Sequence, residues 1–324
     1  MTAELTNLSS ILVAGHRGLV GSAIVRKLRG AGYSNLLTPG RGDLDLSRQD
    51  SVEKYFSKQR PAFVFLAAAK VGGIWANNTY PGDFIRENLL IQTLAIDAAY
   101  KNGCQKLLYL GSSCIYPKLA AQPLKEEALL TGPLEPTNDA YAVAKIAGWK
   151  MCEAYRRQYG FNAIGLMPTN LYGPGDNFDL QNSHVLPALV RRFHEAKLAN
   201  AKSVTVWGSG TPKREFLHCD DLAAAAVYLM ERYNGAELLN VGVGEDVTIA
   251  ELVELVRKTT GYTGEVNWDR SKPDGTPRKI LDVSRLSAQG WKAAIALPDG
   301  LASTYSWFQR HYDEIKATGK AASA

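Results

Sequence analysis

Ser112, Cys114, Tyr141 and Lys145 are the residues whose types and spacing could do chemistry. Cys114 stands two positions after Ser112 in Gly111-Ser112-Ser113-Cys114-Ile115-Tyr116-Pro117, and Tyr141 and Lys145 follow as Tyr-x-x-x-Lys. Residues four apart on a helix share one face. A cation near a phenol favours the phenolate, so Lys145 is expected to lower the pKa of Tyr141. A tuned tyrosine can give a proton to an oxygen as hydride reaches the carbon. Ser112 ends a predicted strand, where open parallel sheets bind substrates, and its hydroxyl can hold the same oxygen. A thiol beside that serine suggests a second step, proton transfer at carbon, once its pKa is tuned. The plainer reading of a cysteine just after a strand is buried packing.

Hydride chemistry needs a nucleotide site, and the chain supplies one early. Ile11–Ala14 reads as a buried strand running into Gly15-His16-Arg17-Gly18-Leu19-Val20-Gly21. Gly-x-x-Gly-x-x-Gly between a strand and a helix lets backbone approach a pyrophosphate, which the helix N-terminus attracts. The alternative is a tight turn whose glycines serve packing alone. The next predicted strand, Asn35–Thr38, ends in Pro39-Gly40-Arg41 with no acid at its tip. Arg41, helped by Arg17, can pair a 2′-phosphate, so NADPH is expected over NADH. Asp43 close by is the residue that could favour NAD instead.

The elements that must position these groups alternate. Ile11–Ala14, Asn35–Thr38, Ala62–Ala67, Lys106–Leu110 and Asn162–Leu166 read as short buried strands. Gly18–Gly30, Asp50–Gln59, Phe84–Asn102 and Tyr141–Tyr159 read as the helices between them. This order predicts an α/β fold, a doubly wound parallel sheet of Rossmann type with helices on both faces. After Gly173 the pattern loosens into helix-like Val185–Leu198, strand-like Val204–Val206, strand-like Glu237–Val241 and helix-like Ile249–Thr259. Residues 1–173 are therefore expected to form the nucleotide-binding domain, with a strand near 237–241 returning to it. Residues 174–324 would form mainly a smaller, partly discontinuous substrate lobe, and the tail Ala317–Ala324 is expected to fray.

The whole-chain properties narrow the class. With 46% hydrophobic and 21% charged residues, the composition is that of an ordinary globular protein. A formal net charge of +5, with no basic run interleaved with aromatics, suits phosphorylated small ligands better than nucleic acid. No apolar run reaches membrane-spanning length. Cys104, Cys114, Cys152 and Cys219 are scattered without Cys-x-x-Cys, so neither disulfides nor structural zinc are expected. Met1–Ser10 has no signal-peptide pattern, so the expected compartment is the cytoplasm.

Ser, Tyr-x-x-x-Lys and the glycine fingerprint together resemble the extended short-chain dehydrogenase/reductases. The segments GHRGLVGSAI, LAAAKVGGIWANNTYPGDFI, LGSSCIYPKLAAQPL, EPTNDAYAVAKIAG, MPTNLYGPGDNF, SHVLPALVRRFHEA, VWGSGTPKREFLHCDD and SKPDGTPRKILDVSRL resemble the GDP-L-fucose synthases within that group. The resemblance implies an NADPH-dependent 3,5-epimerase/4-reductase acting on GDP-4-keto-6-deoxy-D-mannose. It implies that Cys114 and His184 are the acid–base pair at C3 and C5, with Tyr141 the proton donor in C4 reduction. Read without it, His184 could equally be a capping or surface residue. The resemblance also puts Leu110, Lys145, Pro168-Thr169-Asn170-Leu171 and His184 at the cofactor. It puts Arg192, Trp207, Arg214 and Asp274 at the nucleotide-sugar, Val71-Gly72-Gly73 near it, and implies a homodimer. Two other readings stand beside it. One is a nucleotide-sugar 4-epimerase or 4,6-dehydratase, although a dehydratase would want a carboxylate where Ser113 and Cys114 stand. The other is a non-catalytic NADP-binding regulator, which would have no use for a tuned phenol.

Overall fold

The computed structural model describes residues 4–180, 182–271 and 274–318. Part of the tail and the Lys272-Pro273 step of the quoted SKPDGTPRKILDVSRL segment lie outside these residues.

The first half alternates as its apolar runs require. It comprises β1 (Ile11–Ala14), α1 (Leu19–Gly30), β2 (Leu36–Leu37), α2 (Gln49–Gln59), β3 (Phe63–Leu66), α3 (Ile74–Thr79), α4 (Pro81–Lys101), β4 (Lys106–Leu110), α5 (Asp139–Tyr159) and β5 (Ala163–Pro168). The second half holds β6 (Asn170–Tyr172), α6 (Val185–Leu198), β7 (Ser203–Trp207), β8 (Lys213–Arg214), β9 (Phe216–His218), α7 (Cys219–Arg232), β10 (Leu239–Val241), β11 (Val247–Thr248), α8 (Ile249–Thr260), β12 (Glu265–Asp269), β13 (Arg278–Lys279), α9 (Ser284–Ala288), α10 (Leu297–Arg310) and α11 (Tyr312–Thr318).

Six strands form a parallel sheet in the order β10-β5-β4-β3-β1-β2. Side chains alternate across it, as strand periodicity demands. Ile11 and Val13 enter the core beneath α1 and α7, while Leu12 and Ala14 enter the core beneath α4 and α5. β10 pairs with β5 through Leu239↔Leu166, so the late strand joins the main sheet. A third core, of Leu186, Val190, Phe193, Val204, Val206, Leu252, Val256 and Phe308, lies among α6, β7, α8 and α10. The second predicted strand is shorter than expected, only Leu36–Leu37, because it is the half-buried edge of the sheet. Within the described residues, no helix is long and apolar enough to cross a membrane.

The sheet order reverses between β1 and β3. All six strands are parallel, so the loops after β1 and β4 open at the same C-terminal edge, where doubly wound sheets bind ligands.

Candidate active site

The turn after β1 is built for a close backbone approach. Gly15 has φ +87°, and a Cβ there would sit 2.7 Å from the Ala68 backbone. A Cβ on Gly21 would lie 2.1 Å from the Gly15 carbonyl oxygen, so neither position admits a side chain. Gly18 caps α1 without a side-chain bond, and its first turn carries no acid. Free N–H groups and the positive end of the helix dipole therefore face the loop, which fits a pyrophosphate. Arg17 and Arg41 are both exposed near the end of β2. An Arg17 Nη lies 3.5 Å from where a Gly40 Cβ would be, and Arg41 Nε reaches Asp45 at 3.3 Å. Burial and the neighbouring Arg17 push the His16 pKa down, so its imidazole is neutral. These groups suit a dinucleotide carrying an extra 2′-phosphate.

Helix α5 is locked to the sheet before it presents its catalytic face. Gly148 lets α4 and α5 approach, since a Cβ there would meet Gln92 and the Tyr109 hydroxyl at 2.5 Å. Gln92 donates to the Ala144 carbonyl. The Tyr109 hydroxyl lies 2.8 Å from Gln92 Oε1 and 3.0 Å from the Lys145 carbonyl. Lys145 then points its ammonium back to the end of β4, donating to the Leu110 carbonyl at 2.8 Å. Its Nζ lies 5.8 Å from the Tyr141 ring centroid.

Ser112 caps a short 3₁₀ turn, Ser113–Ile115, and its Oγ accepts from the Cys114 N–H at 3.4 Å. This turn sets Cys114 beside Ser112, Tyr141 and Lys145, within electrostatic reach of each. The expected lowering of the Tyr141 phenol is not what the structure gives. Burial, then the nearby Cys114, push its pKa up, and the Ser112 hydroxyl offsets this only in part. Burial also pushes Lys145 down to about 8. Desolvation outweighs the pairing assumed from sequence. The phenol is held neutral, the form that donates a proton.

His184 is the N-cap residue of α6, but its side chain makes no capping bond. Solvent reaches it, yet protein surrounds it in a cleft; burial and the Lys279 charge hold its pKa down. Burial raises the Cys114 thiol, while Lys279, Ser112 and Lys145 pull it back toward thiolate. Lys279 thus acts on both members of the expected acid–base pair. It was not singled out from sequence. The available signal was the cation in Arg278-Lys279 just before the apolar Ile280-Leu281.

Lys279 is placed by β13, where it stands in register with Arg214 of β8. Glu215 holds that arrangement. It is fully buried, and its Oε1 accepts from Val243 and Gly244 N–H at 2.6 and 2.8 Å. Its Oε2 accepts from Leu281 N–H at 2.9 Å. Its own carbonyl accepts from Asn170 Nδ2 at 2.8 Å and Thr169 Oγ1 at 3.3 Å. One residue therefore ties the junction of β5 and β6, Pro168-Thr169-Asn170-Leu171, to the strand carrying Lys279. Glu215 was also missed from sequence, because its partners lie far away along the chain.

The remaining candidates line the second lobe. Arg192 donates to the Thr205 carbonyl at 3.0 Å, with its guanidinium carbon 6.0 Å from the ring centre of the exposed Trp207. A cation over an indole makes a surface suited to a diphosphate and a base. Asp274 accepts from Ser209 N–H at 2.8 Å and Ser209 Oγ at 2.6 Å, so it also clamps the loop after β7. Arg214 lies within electrostatic reach of both Asp274 and Lys279. Cys114, His184 and Arg214 are thus linked through the charge of Lys279, and Glu215 fixes the strands around it.

Residues 11–242 match the model of the NAD dependent epimerase/dehydratase family. The chain is 60% identical over 313 residues to GDP-L-fucose synthase 1 of Arabidopsis thaliana, covering 95% of this chain and 97% of that protein. The chain belongs to the GDP-L-fucose synthase family. A further member, GDP-L-fucose synthase of Escherichia coli (strain K12), is 55% identical over 94% of this chain and 98% of its own length. Among solved structures, a GDP-mannoheptose C4 reductase from Campylobacter jejuni with NADP bound is 39% identical, with a TM-score of 0.86 over 94% of this chain and 99% of that one. The family's fold is the sheet and loop arrangement described above.

Proposed function

We propose that this chain converts GDP-4-keto-6-deoxy-D-mannose to GDP-L-fucose by epimerisation at C3 and C5 and NADPH-dependent reduction at C4. The observation that carries this reading is Cys114, set beside Ser112, Tyr141 and Lys145 and sharing the Lys279 charge with His184. A simple ketoreductase needs Ser112, Tyr141 and Lys145. The thiol and the imidazole are what an epimerase adds.

NADP(H) would be held by the Gly15–Gly21 loop, by Arg17 and Arg41 at the 2′-phosphate, and by Leu110, Lys145, Pro168–Leu171 and His184 at the nicotinamide end. When bound, it supplies the hydride for C4. The protein's own groups do the rest. Ser112 and Tyr141 hold the C4 oxygen, which acidifies the hydrogens on C3 and C5. One member of the Cys114/His184 pair takes a proton from carbon and the other returns one on the opposite face. At neutral pH the free site starts with a neutral imidazole, ready to accept, and a raised thiol, ready to give. In the reduction Tyr141 gives its proton to the C4 oxygen. Arg192, Trp207, Arg214 and Asp274 bind the GDP portion and the sugar hydroxyls.

The same reading makes the protein a homodimer. Helices α4 and α5 lie side by side, with Val143 exposed and Leu90, Ile91 and Leu94 only half-buried. A strictly monomeric mass in solution would refute this. Four unpaired cysteines support a reducing, cytoplasmic setting.

The deciding experiment is turnover of the 4-keto sugar with NADPH in heavy water. Deuterium at C3 and C5 of a reduced product is expected. Reduction without ring-carbon deuterium would leave a ketoreductase and remove Cys114 and His184 from the mechanism. No reaction would favour the regulator reading.

A further inference from the structure

The run Leu238-Leu239-Asn240-Val241 is apolar except for Asn240, which is fully buried. Leu239 and Val241 enter the core beneath α1 and α7, so the Asn240 side chain enters the opposite face of the sheet, where Tyr116 lies. A buried amide is costly unless it is hydrogen-bonded. Here both ends of the side chain are bonded. The Tyr116 hydroxyl donates to Oδ1 at 2.5 Å. Nδ2 donates to the Leu124 carbonyl at 2.9 Å and to the Asp282 carbonyl at 3.2 Å. The Asn240 backbone N–H donates to the buried Glu126 carboxylate at 2.9 Å. A buried polar network bonded at every arm rigidifies what it joins.

What it joins are two segments of the candidate site. Tyr116 closes the 3₁₀ turn that carries Cys114, two residues earlier. Asp282 follows Lys279 by three residues. The chain between them is pinned at the same place. Leu124 N–H donates to the Ile280 carbonyl and Asp282 N–H to the Leu124 carbonyl, both at 2.8 Å. Ile280 N–H donates to Gln122 Oε1 at 3.0 Å. Glu215 steadies this segment at Leu281, but Asn240 is what connects it to the Cys114 turn. Asn240 is itself fixed, because β10 pairs with β5 and sets it opposite Met167.

We propose that Asn240 is a positioning residue for the epimerisation, setting the separation of Cys114 and Lys279 through its bonds to Tyr116 and Asp282. The role rests on the epimerase reading above. Lys279 of β13, Lys145 and Tyr141 of α5, and Tyr109 of β4 all face the thiol. Lys145 is tied to the start of the same turn through the Leu110 carbonyl, so it follows the thiol. Lys279 comes from another segment. Loosening Tyr116 or Asn240 changes its distance first, and its pull toward thiolate weakens.

The test uses the full chain as Tyr116→Phe, which deletes one hydroxyl, and as Asn240→Ala, each with and without Lys279→Met. One readout is the pH midpoint of Cys114 alkylation by iodoacetamide, followed by mass at that residue. The other is deuterium entry at C3 and C5 of GDP-4-keto-6-deoxy-mannose in heavy water. NADPH titration checks that each protein is folded. In Tyr116→Phe the midpoint is expected to rise by about half a pH unit and deuterium entry to fall about tenfold. Asn240→Ala should change both further. With Lys279→Met already in place, neither substitution should move the midpoint again. An unmoved midpoint in both variants, or an equal rise without Lys279, overturns the proposal and leaves the network a structural one. A shifted midpoint with full deuterium entry overturns it too. If Asn240→Ala does not fold, Tyr116→Phe decides alone. Each of these failures leaves exchange by the parent protein intact. A parent protein that admits no deuterium at either carbon overturns the epimerase reading, and the proposed role falls with it.

Discussion

Lys145 sits one helical turn from Tyr141, but its ammonium donates to the Leu110 carbonyl at 2.8 Å rather than to the phenol. The cation lies 5.8 Å from the tyrosine ring, close enough to steady charge as it develops on the oxygen. Removing the phenol hydroxyl should therefore hurt reduction far more than the earlier steps, in which Ser112 still holds the C4 oxygen. Tyr141→Phe is expected to lower C4 reduction by about 100-fold or more, while deuterium still enters C3 and C5. Full reductase activity in that variant would overturn the assignment.

A pH limb follows from the same residue. Burial brings Lys145 to about 8 in the free protein. It is charged below that value and loses its proton as pH rises through it. Reductive kcat/KM, which reports the free enzyme, should fall as pH rises through about 8. A profile flat from neutrality to well above that value would contradict the role of the ammonium.

Lys279 lowers the pKa of both Cys114 and His184. Lys279→Met removes that charge, so both values should move up. Alkylation of Cys114 by iodoacetamide should then need higher pH, and the acidic limb set by His184 should move to higher pH. Unmoved limbs, with the variant folded, would show that Lys279 acts elsewhere.

Glu215→Gln places an amide donor against a backbone N–H of Leu281 or of Val243 and Gly244. At least one buried bond, to Leu281, becomes a donor–donor contact, costing about 2 kcal/mol of stability or more. The Glu215 carbonyl, which holds Thr169 and Asn170, is unchanged. Titrations should show weakened GDP-sugar binding with NADPH binding largely retained. Equal loss of both ligands would argue for general damage.

Arg41→Ala should raise the KM for NADPH by about tenfold, the worth of one charge-assisted bond, and leave NADH little changed. Parallel loss with both cofactors would remove Arg41 from the 2′-phosphate site.

Much of this was legible in sequence because it is local. The strand, glycine loop and helix of the nucleotide site are contiguous, and Gly21 is explained by contacts within the turn, whereas Gly15 is required by the segment after β3. Helix α5 was read correctly in place from its periodicity, and Tyr141 and Lys145 necessarily share its face. The returning strand, β10, was legible as the strand-like run Glu237–Val241, expected to rejoin the main sheet, where it pairs with β5. Lys279 and Glu215 were not legible. Their importance comes from β13 lying beside β8 and from backbone N–H groups at positions 243, 244 and 281, which no spacing along the chain brings together. The direction of the Tyr141 shift was misread for the same reason, since its burial depends on how α4, α5 and β4 pack.

The chain alone thus determined which chemical groups exist and which share a turn or a helix face, because helix and strand periods are properties of the backbone. Only the tertiary structure decided which charges face Cys114 and His184 and how far each group is desolvated. Those depend on distances between elements far apart in sequence, and electrostatic energy depends on distance and on the surrounding dielectric.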